Sequence, residues 1–189
     1  MDHIILAINP GSTSTKLAVY KNDTQTHCTS LHHSSTDLAE FSEVVEQKEF
    51  RQEVIVAWLN RERIPLESLT TLVARGGLLA PIPGGTYEIN STMVEHMSTG
   101  RYGKHASNLA GLIAYDLSKR LNIPAFIVDP VVVDELEPIA RISGNPKCER
   151  ISIFHALNQK ANAKRFAEQL GKPYEELNLI VAHLGGGIS

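Results

Sequence analysis

The order of strand-like and helical patterns constrains the fold of this chain more than any other feature of its sequence. Three β-like runs come first, over residues 4–8, 17–21 and 26–32, and short polar turns separate them. Runs linked so closely predict an antiparallel meander. Helical and strand-like segments then alternate along the rest of the chain, which predicts an α/β layer on a mixed sheet with ligands at its strand ends.

Apolar spacing and turn residues predict the remaining elements. One helix is expected to begin near Asp37, and a second helix carries Phe50, Val54, Ala57 and Trp58 on one face. Ser107 is expected to cap a helix whose inward residues are Leu109, Leu112, Ile113, Leu117 and Leu121. Further strands are predicted over residues 71–74, 125–128 and 179–182, and a last helix over residues 155–170. Four glycines and two prolines make residues 76–85 a shaped loop.

A polar turn lies between the first two predicted strands. Free backbone N–H groups around Gly11, the hydroxyls of Ser12, Thr13, Ser14 and Thr15, and the Lys16 ammonium together suit phosphate oxygens. The turn is not a Walker loop, which needs a second glycine directly before the lysine. An ordinary polar hairpin explains these residues equally well. A second glycine-rich loop after a predicted strand, at residues 183–187, favours a phosphate site.

Charged and imidazole side chains occur at the predicted strand ends and beside glycine or apolar segments. Arg75 follows an apolar strand and precedes two glycines, and its planar guanidinium suits a carboxylate or a phosphate. Asp129 follows another strand and is a candidate metal ligand, with Asp134 as the nearby alternative. From these residues alone, a surface arginine, a turn aspartate and two packing histidines, His105 and His155, remain open alternatives.

Composition and charge argue against several classes of partner. The chain has 18 Lys+Arg against 21 Asp+Glu, a net charge of −3 and no basic run, so a nucleic-acid surface is not indicated. No apolar run approaches the roughly 20 residues that cross a bilayer, and no signal peptide is recognisable. Cys28 and Cys148 lack the spacing of a metal or redox motif. We therefore expect a cytoplasmic protein that acts on small molecules, with no nucleic-acid or membrane partner.

Six short motifs occur in a fixed order along the chain: INPGSTSTK, ARGG, HASN, VDP, IFHA and HLGGGIS. Together they resemble the acetate and butyrate kinase family, most closely its butyrate and branched-chain fatty acid kinases. The resemblance implies a ribonuclease H-like domain of the actin and hexokinase superfamily. It also implies that residues 1–189 are the N-terminal domain of a two-domain kinase, with the nucleotide-binding C-terminal domain after residue 189. The full-length form is expected to be a homo-oligomer.

The resemblance implies a role for individual motif residues. The expected catalytic residues are Arg75, Asp129 and His155. The residues expected to bind the acid are Arg75, Gly76, Gly77 and His105. ATP is expected to contact Asn9, Ser12, Ser14, Lys16, His183, Gly185, Gly186 and Gly187. Asn9 and Asp129 are expected to hold Mg²⁺.

The implied reaction is ATP-dependent phosphorylation of a short-chain fatty acid, butyrate, to an acyl phosphate by in-line transfer. Where acetate kinases carry Arg-Val-Val-His, this chain has Arg75-Gly76-Gly77-Leu78. The two glycines are expected to lengthen the acid pocket, and each extra buried CH₂ is worth about 0.8 kcal/mol. A branched-chain acid such as isobutyrate, a noncatalytic fragment and a superfamily ATPase with no acid substrate remain alternatives. The Arg75-Gly76-Gly77 segment argues against the last of these.

Overall fold

The computed structural model describes residues 2–184, which form two compact units. The first unit comprises the chain up to Ala80 together with Gly85–Val128, and it contains the whole sheet. The second unit comprises Pro81–Gly84 and the chain from Asp129 onward. The two units are described in turn.

The first unit begins with the predicted meander. Strands β1 (Ile4–Pro10), β2 (Ser14–Lys21) and β3 (Thr24–His32) pair in sequence, each antiparallel to the one before. Alternate residues of β1 and β2 are buried, as expected for strands with one face on a core. The antiparallel meander predicted from the sequence is therefore confirmed.

Three shorter strands complete a six-stranded mixed sheet in the order β3-β2-β1-β4-β6-β5. They are β4 (Thr71–Ala74), β5 (Thr86–Glu88) and β6 (Ala125–Val128). The strands β1, β4 and β6 run parallel, and β5 pairs antiparallel with β6. β4 and β6 coincide with the predicted runs, whereas β5 was not predicted because its three residues are too few to show a pattern.

Five α-helices lie within the described residues. They are α1 (Ser35–Ala39), α2 (Lys48–Arg61), α3 (Ser91–Thr99), α4 (Asn108–Leu121) and α5 (Ala156–Leu170). The predicted apolar face of α4 is confirmed, with Leu109, Leu112, Ile113 and Leu117 buried. α3, which begins directly after the Asn90 cap, was not predicted. Among residues 2–184, no helix has the length and apolar character needed to cross a membrane.

Ser107 precedes α4 as predicted, but its side chain does not cap the helix. Its backbone is already helical, at φ −62° and ψ −23°, so the hydroxyl is not directed at the free N–H groups of the first turn. The hydroxyl instead lies 2.8 Å from Nδ1 of His105. The predicted helix boundary is correct and the predicted cap is wrong.

The buried face of α2 differs from the predicted face. Its buried residues are Arg51, Ile55, Trp58 and Leu59, while Ala57 is exposed. The apolar pattern assigned Arg51 to the exposed face of the helix. The predicted buried face was therefore displaced by one residue toward the N-terminus. Arg51 is nevertheless fully buried because each of its N–H groups finds an acceptor, as described below.

The second unit contains α5 and irregular segments. An isolated parallel bridge joins Ile82 and Val133. α5 ends at Leu170 and is followed by Gly171 in a left-handed conformation. The strand predicted at residues 179–182 is wrong: the segment is irregular, and the side chain of Ile180 is fully exposed. The apolar residues of this segment have the spacing of a strand, but the segment pairs with no strand in the part of the chain that the structure describes.

The orientation of α2 can be tested by two substitutions on adjacent faces. Ile55→Ala should lower the free energy of unfolding by about 2–5 kcal/mol, because it leaves a cavity under a fully buried side chain. Ala57→Ser, on the exposed face, should change it by less than about 0.5 kcal/mol. Urea unfolding measures both values. A larger loss of unfolding free energy for Ala57→Ser than for Ile55→Ala would mean that α2 buries the face that the sequence pattern predicts.

Candidate functional site

Three predicted site residues converge at one end of the first unit's sheet. Asn9 lies opposite Lys16 in the antiparallel pair of β1 and β2, and directly opposed residues present their side chains to the same face. β4 runs parallel to β1 with Ala74 beside Ile8, so Arg75 follows at the same end. An Arg75 Nη1–H donates to Oδ1 of Asn9 across 3.3 Å. The structure thus brings these three predicted residues together.

The charges at this strand end lack partners of opposite sign. Arg75 is half-buried, and neither it nor the exposed Lys16 forms an ion pair with any residue between 2 and 184. The one hydrogen bond seen for the Arg75 guanidinium is to a neutral amide. Two cationic residues that flank Asn9, with no carboxylate in an ion pair with either, favour an anion at this strand end.

The turn between β1 and β2 is closed by its own backbone. Gly11 N–H donates to the carbonyl of Ser14 across 2.7 Å, and His33 N–H donates to the carbonyl of Thr13 across 2.9 Å. Among the backbone N–H groups around Gly11 that were expected to be free, that of Gly11 itself is therefore bonded. The predicted hydroxyls belong to the exposed Ser12 and the half-buried Ser14.

A buried arginine supports this turn from beneath, and the sequence analysis missed it. The guanidinium of Arg51 donates to the carbonyls of Ser12 and Ser14 at 2.9 and 3.0 Å, and to the hydroxyl of Thr15 at 3.1 Å. The remaining bonds run to Oε1 of Gln47. Burial lowers the pKa of Arg51 from its ordinary value. The sequence offered one signal for this role, because Arg51 is a charged residue that falls in register with the buried face of α2.

His33 continues the same network. Its Nε2 lies 2.8 Å from the hydroxyl of Thr15, which already accepts a hydrogen bond from Arg51. A hydroxyl can accept two hydrogen bonds and donate one, so the bond between Thr15 and His33 can run in either direction. Burial foremost, and then the charge of Arg51, lower the pKa of His33, while Asp37 opposes the shift.

Gly76 and Gly77 follow Arg75 for different structural reasons. Gly76 has φ +84°, a conformation that L-residues rarely adopt. Gly77 has an ordinary φ, but a Cβ there would lie 2.8 Å from Cα of Asn108. The expectation that Gly77 opens a longer acid pocket is therefore wrong, because Asn108 fills the space beside it.

Asn108 is a buried amide that joins three segments of the first unit. Its Oδ1 accepts from the N–H of Leu78, and its Nδ2 donates to the carbonyls of Met97 and Gly103. A buried amide with these bonds satisfied fixes the segments that it joins. Asn108 thus holds the loop after Arg75 against the segment that precedes His105.

His105 lies next to a cavity of the first unit. Its Nδ1 accepts from the N–H of Ser107 across 3.1 Å, so the hydrogen of the neutral ring is on Nε2. Lys104 and Glu43, which form an ion pair of 3.0 Å, both belong to its lining. The apolar lining residues are Val44, Val45, Met97, Leu109 and Leu112.

Asp129 begins the second unit with a strained backbone, at φ +38°. Its carboxylate is largely buried, and Nζ of Lys160 lies 3.9 Å from Oδ1. Lys160 also donates to Glu135 across 2.9 Å. Burial lowers the pKa of Lys160, but the bond to Glu135 and the charges of Glu135 and Asp129 outweigh burial and raise it. The hydrogen bond from Lys160 in turn lowers the pKa of Glu135.

Three further candidates of the second unit, Asp134, His155 and His183, contact neighbouring side chains. Asp134, the alternative metal ligand, receives two hydrogen bonds from Arg141 at 2.8 and 3.0 Å, which hold the pKa of its carboxyl below its usual range. The rings of His155 and His183 stack with centroids 3.9 Å apart, and Nδ1 of His183 lies 3.3 Å from Oδ1 of Asn158. Gly185, Gly186 and Gly187, predicted to bind phosphate, lie outside the described residues.

The packing of Gly77 against Asn108 predicts a loss of stability on adding one methyl group. Gly77→Ala should lower the free energy of unfolding by about 1–3 kcal/mol, because the new Cβ would overlap backbone atoms. Gly144→Ala is the matched control, since a Cβ there meets nothing within 4 Å. Equal stability of the two variants in urea unfolding would contradict the close approach of Asn108.

The environment of His33 predicts acid sensitivity. Its folded-state pKa is below the ordinary value of 6.5, so the unfolded chain binds more protons between the two values. The free energy of unfolding should therefore decrease as the pH falls below 6.5 through the folded-state pKa. Thermal melts of His33→Gln should show a shallower dependence in this range, whereas the exposed His3→Gln should not. Unchanged dependence in His33→Gln would rule out the buried imidazole as the cause.

Solved structures with the same fold are kinases that act on short-chain acids. Acetate kinase of Porphyromonas gingivalis matches 98% of this chain and 53% of its own, with a TM-score of 0.61 and 17% identity. A propionate kinase from Francisella tularensis subsp. tularensis SCHU S4 matches the same shares, with a TM-score of 0.56 and 17% identity. Acetate kinase from Entamoeba histolytica matches 87% of this chain and 47% of its own, with a TM-score of 0.54 and 10% identity.

The matches cover about half of each solved chain and have low sequence identity. No protein-family model matches the chain, and the chain spans about half the length of the solved structures that it resembles. At these identities the likeness concerns the fold. The predicted α/β class with a mixed sheet is confirmed, and the chain has the actin-like ATPase fold of acetate and propionate kinase domains.

Proposed function

We propose that this chain is the N-terminal half of an ATP-dependent kinase that phosphorylates the carboxylate of a short-chain fatty acid, with butyrate as the substrate. The observation that carries the proposal is the half-buried Arg75, which lacks an ion-pair partner in residues 2–184 and lies at the same strand end as Lys16. The acetate and propionate kinases of the same fold support a short-chain acid as the phosphate acceptor. The motif resemblance supports butyrate.

The chemistry needs charge neutralisation more than a general base. A fatty-acid carboxyl has a pKa near that of glutamic acid, about 4–5, so it is already ionised at neutral pH. One carboxylate oxygen attacks the γ-phosphorus of ATP, the new O–P bond forms, and the bond to the β,γ-bridging oxygen breaks. The products are an acyl phosphate and ADP. Because both reactants are anions, positioning and cationic side chains supply most of the catalysis.

Arg75 and Lys16 have complementary parts in this proposal. The planar Arg75 guanidinium can hold the acid carboxylate and the transferring phosphoryl group with paired hydrogen bonds. The Lys16 ammonium acts as a compact charge on the ATP phosphates, beside the hydroxyls of Ser12 and Ser14. The bond from Arg75 to Asn9 sets the orientation of the guanidinium before the anions arrive.

The donor set suits Mg²⁺. The amide oxygen of Asn9 and the carboxylate of Asp129 are hard oxygen ligands, and Mg²⁺ usually takes one or two such ligands together with substrate phosphates and water. Within residues 2–184 no group of three or more His, Cys, Asp or Glu is arranged to hold a metal. Bound Mg²⁺ would neutralise negative charge on the phosphates. Asp129 then organises the metal and its water and does not act as a base.

The histidines and glycine loops complete the proposed assignments. His155 donates a hydrogen bond to the transferring phosphoryl group, and His105 lies on the acid side. The backbone of Gly76 and Gly77 lets the acid approach closely. His183 with Gly185, Gly186 and Gly187 forms the second loop for the nucleotide phosphates.

The hydrocarbon end of the acid needs an apolar site, and the cavity beside His105 offers one. We place it there because Asn108 fills the space beside Gly77, whereas the cavity beside His105 has apolar side chains in its lining. The cavity would have to widen to admit a short alkyl chain, and each CH₂ buried against such a lining contributes about 0.8 kcal/mol. This placement favours butyrate over acetate without assigning selectivity to the two glycines.

The proposal is tested by trapping the product. The full-length protein should convert butyrate, ATP and Mg²⁺ to an acyl phosphate, which hydroxylamine captures as a coloured hydroxamate. Arg75→Ala should lower kcat/KM by about 10²-fold or more, because it removes a preorganised donor from the developing charge. Arg61→Ala, an exposed arginine of the same unit, is the matched control and should retain full activity.

Each outcome of this assay bears on a different part of the proposal. Absence of hydroxamate with acetate, propionate, butyrate and isobutyrate would overturn the carboxylate kinase assignment. Activity with a higher kcat/KM for acetate or isobutyrate than for butyrate would overturn the substrate. The isolated 189-residue chain should form no hydroxamate, and product from it would contradict its assignment as half of the enzyme.

A further inference from the structure

Arg51 uses every hydrogen-bond donor that it has. The guanidinium of arginine carries five N–H groups. The Nε–H and one Nη2–H donate to Oε1 of Gln47, at 3.1 and 2.9 Å, while the other Nη2–H donates to the carbonyl of Ser12 at 2.9 Å. The two Nη1–H groups donate to the carbonyl of Ser14 and the hydroxyl of Thr15. A side chain this fully satisfied holds one orientation.

The charge of Arg51, in contrast to its hydrogen bonds, is not compensated. The side chain is 0% exposed, and its five hydrogen bonds go to four neutral acceptors, which are amide, carbonyl or hydroxyl oxygens. No carboxylate between residues 2 and 184 forms an ion pair with it. Burying a cation without a paired anion costs desolvation free energy, which the five hydrogen bonds offset in part. The hydrogen bonds account for the orientation of the side chain, and the uncompensated charge remains to be explained.

The hydrogen bonds of Arg51 also orient the backbone of the turn. A trans peptide holds its C=O and N–H in opposite directions. Because the carbonyl of Ser12 turns toward Arg51, the N–H of Thr13 turns away from it, toward the exposed side of the turn. The carbonyl of Ser14 accepts from both Arg51 and Gly11, which closes the turn. The turn thereby presents an outward N–H donor with a positive charge behind it.

We propose that Arg51 is a positioning residue for the phosphate turn at residues 11–14, which it holds in the anion-binding conformation and whose affinity for the nucleotide phosphates its buried charge increases. The inference rests on the proposed function, which assigns this turn to ATP. Arg51 itself does not touch the nucleotide. The geometry and the charge are separate parts of the proposal and can be tested separately.

The geometric part is tested by Arg51→Lys in the full-length protein. Lysine keeps the charge but has three donors at one nitrogen, too few and too close together to reach Ser12, Ser14, Thr15 and Gln47 at once. The KM for ATP should rise about tenfold or more, as expected for losing hydrogen bonds from a charged donor, while the KM for butyrate changes less than about twofold. Leu59→Ala, on the same buried face of α2, is the control for lost stability and should leave the KM for ATP unchanged.

The charge part is tested by Gln47→Glu. This nearly isosteric change preserves an acceptor for Arg51 and adds the missing carboxylate, so a purely structural arginine would be as well held or better. The proposal instead expects a several-fold higher KM for ATP with no loss of stability, because the buried charge is neutralised. An unchanged or lower KM for ATP in Gln47→Glu overturns the charge part.

Hydrogen exchange gives a readout that needs no activity. In Arg51→Lys, the amides of residues 11–16 should exchange faster than in the wild type while the core of α4 keeps its protection, whereas Leu59→Ala should speed exchange throughout the first unit. Unchanged protection at residues 11–16, or an unchanged KM for ATP, overturns the positioning role. If the wild type forms no acyl phosphate, the proposed function fails, and exchange still decides whether Arg51 holds the turn. Should Arg51→Lys fail to fold, Gln47→Glu still decides the charge part.

Discussion

The pairing of β1 with a neighbour on each side determines where this chain presents positive charge. The antiparallel partner β2 places Lys16 opposite Asn9, and the parallel partner β4 delivers Arg75 to the same end. Parallel strands end together at their carboxyl ends, and a hairpin returns the chain to that edge. Two cations from distant parts of the chain therefore lie beside one amide, with no carboxylate of the described residues in an ion pair with either.

A layer of buried polar residues supports this arrangement. Arg51 holds the turn that precedes Lys16, and Asn108 holds the loop that follows Arg75. Both side chains are almost completely buried. Asn108 bonds to three backbone groups, and Arg51 bonds to two backbone carbonyls and to the side chains of Thr15 and Gln47. Such contacts cost desolvation but specify one conformation of each loop. In this chain the conformations of the exposed loops depend on polar residues of the interior.

Sequence reasoning succeeded where periodicity and strand order carry the information. The meander, β4, β6 and the buried face of α4 follow from apolar spacing. The polar turn pointed to Lys16 and a strand end pointed to Arg75, whereas Asn9 came from the family resemblance. It failed where a polar contact overrides the pattern. Arg51 is buried because backbone carbonyls meet it, Gly77 is small because Asn108 approaches it, and Ser107 bonds His105. None of these partners is close in the sequence except the last. The strand expected at residues 179–182 shows a related limit, since a strand needs a neighbour that its own sequence does not specify.

The most direct measurement of the central claim is a crystal structure of the full-length protein with Mg²⁺, ADP, butyrate and aluminium fluoride, a mimic of the phosphoryl group in transfer. The account predicts that the Arg75 guanidinium and the Lys16 ammonium both lie within hydrogen-bond distance, about 3 Å, of the mimic or of the ADP phosphates. A bound mimic with both side chains directed to solvent would contradict it.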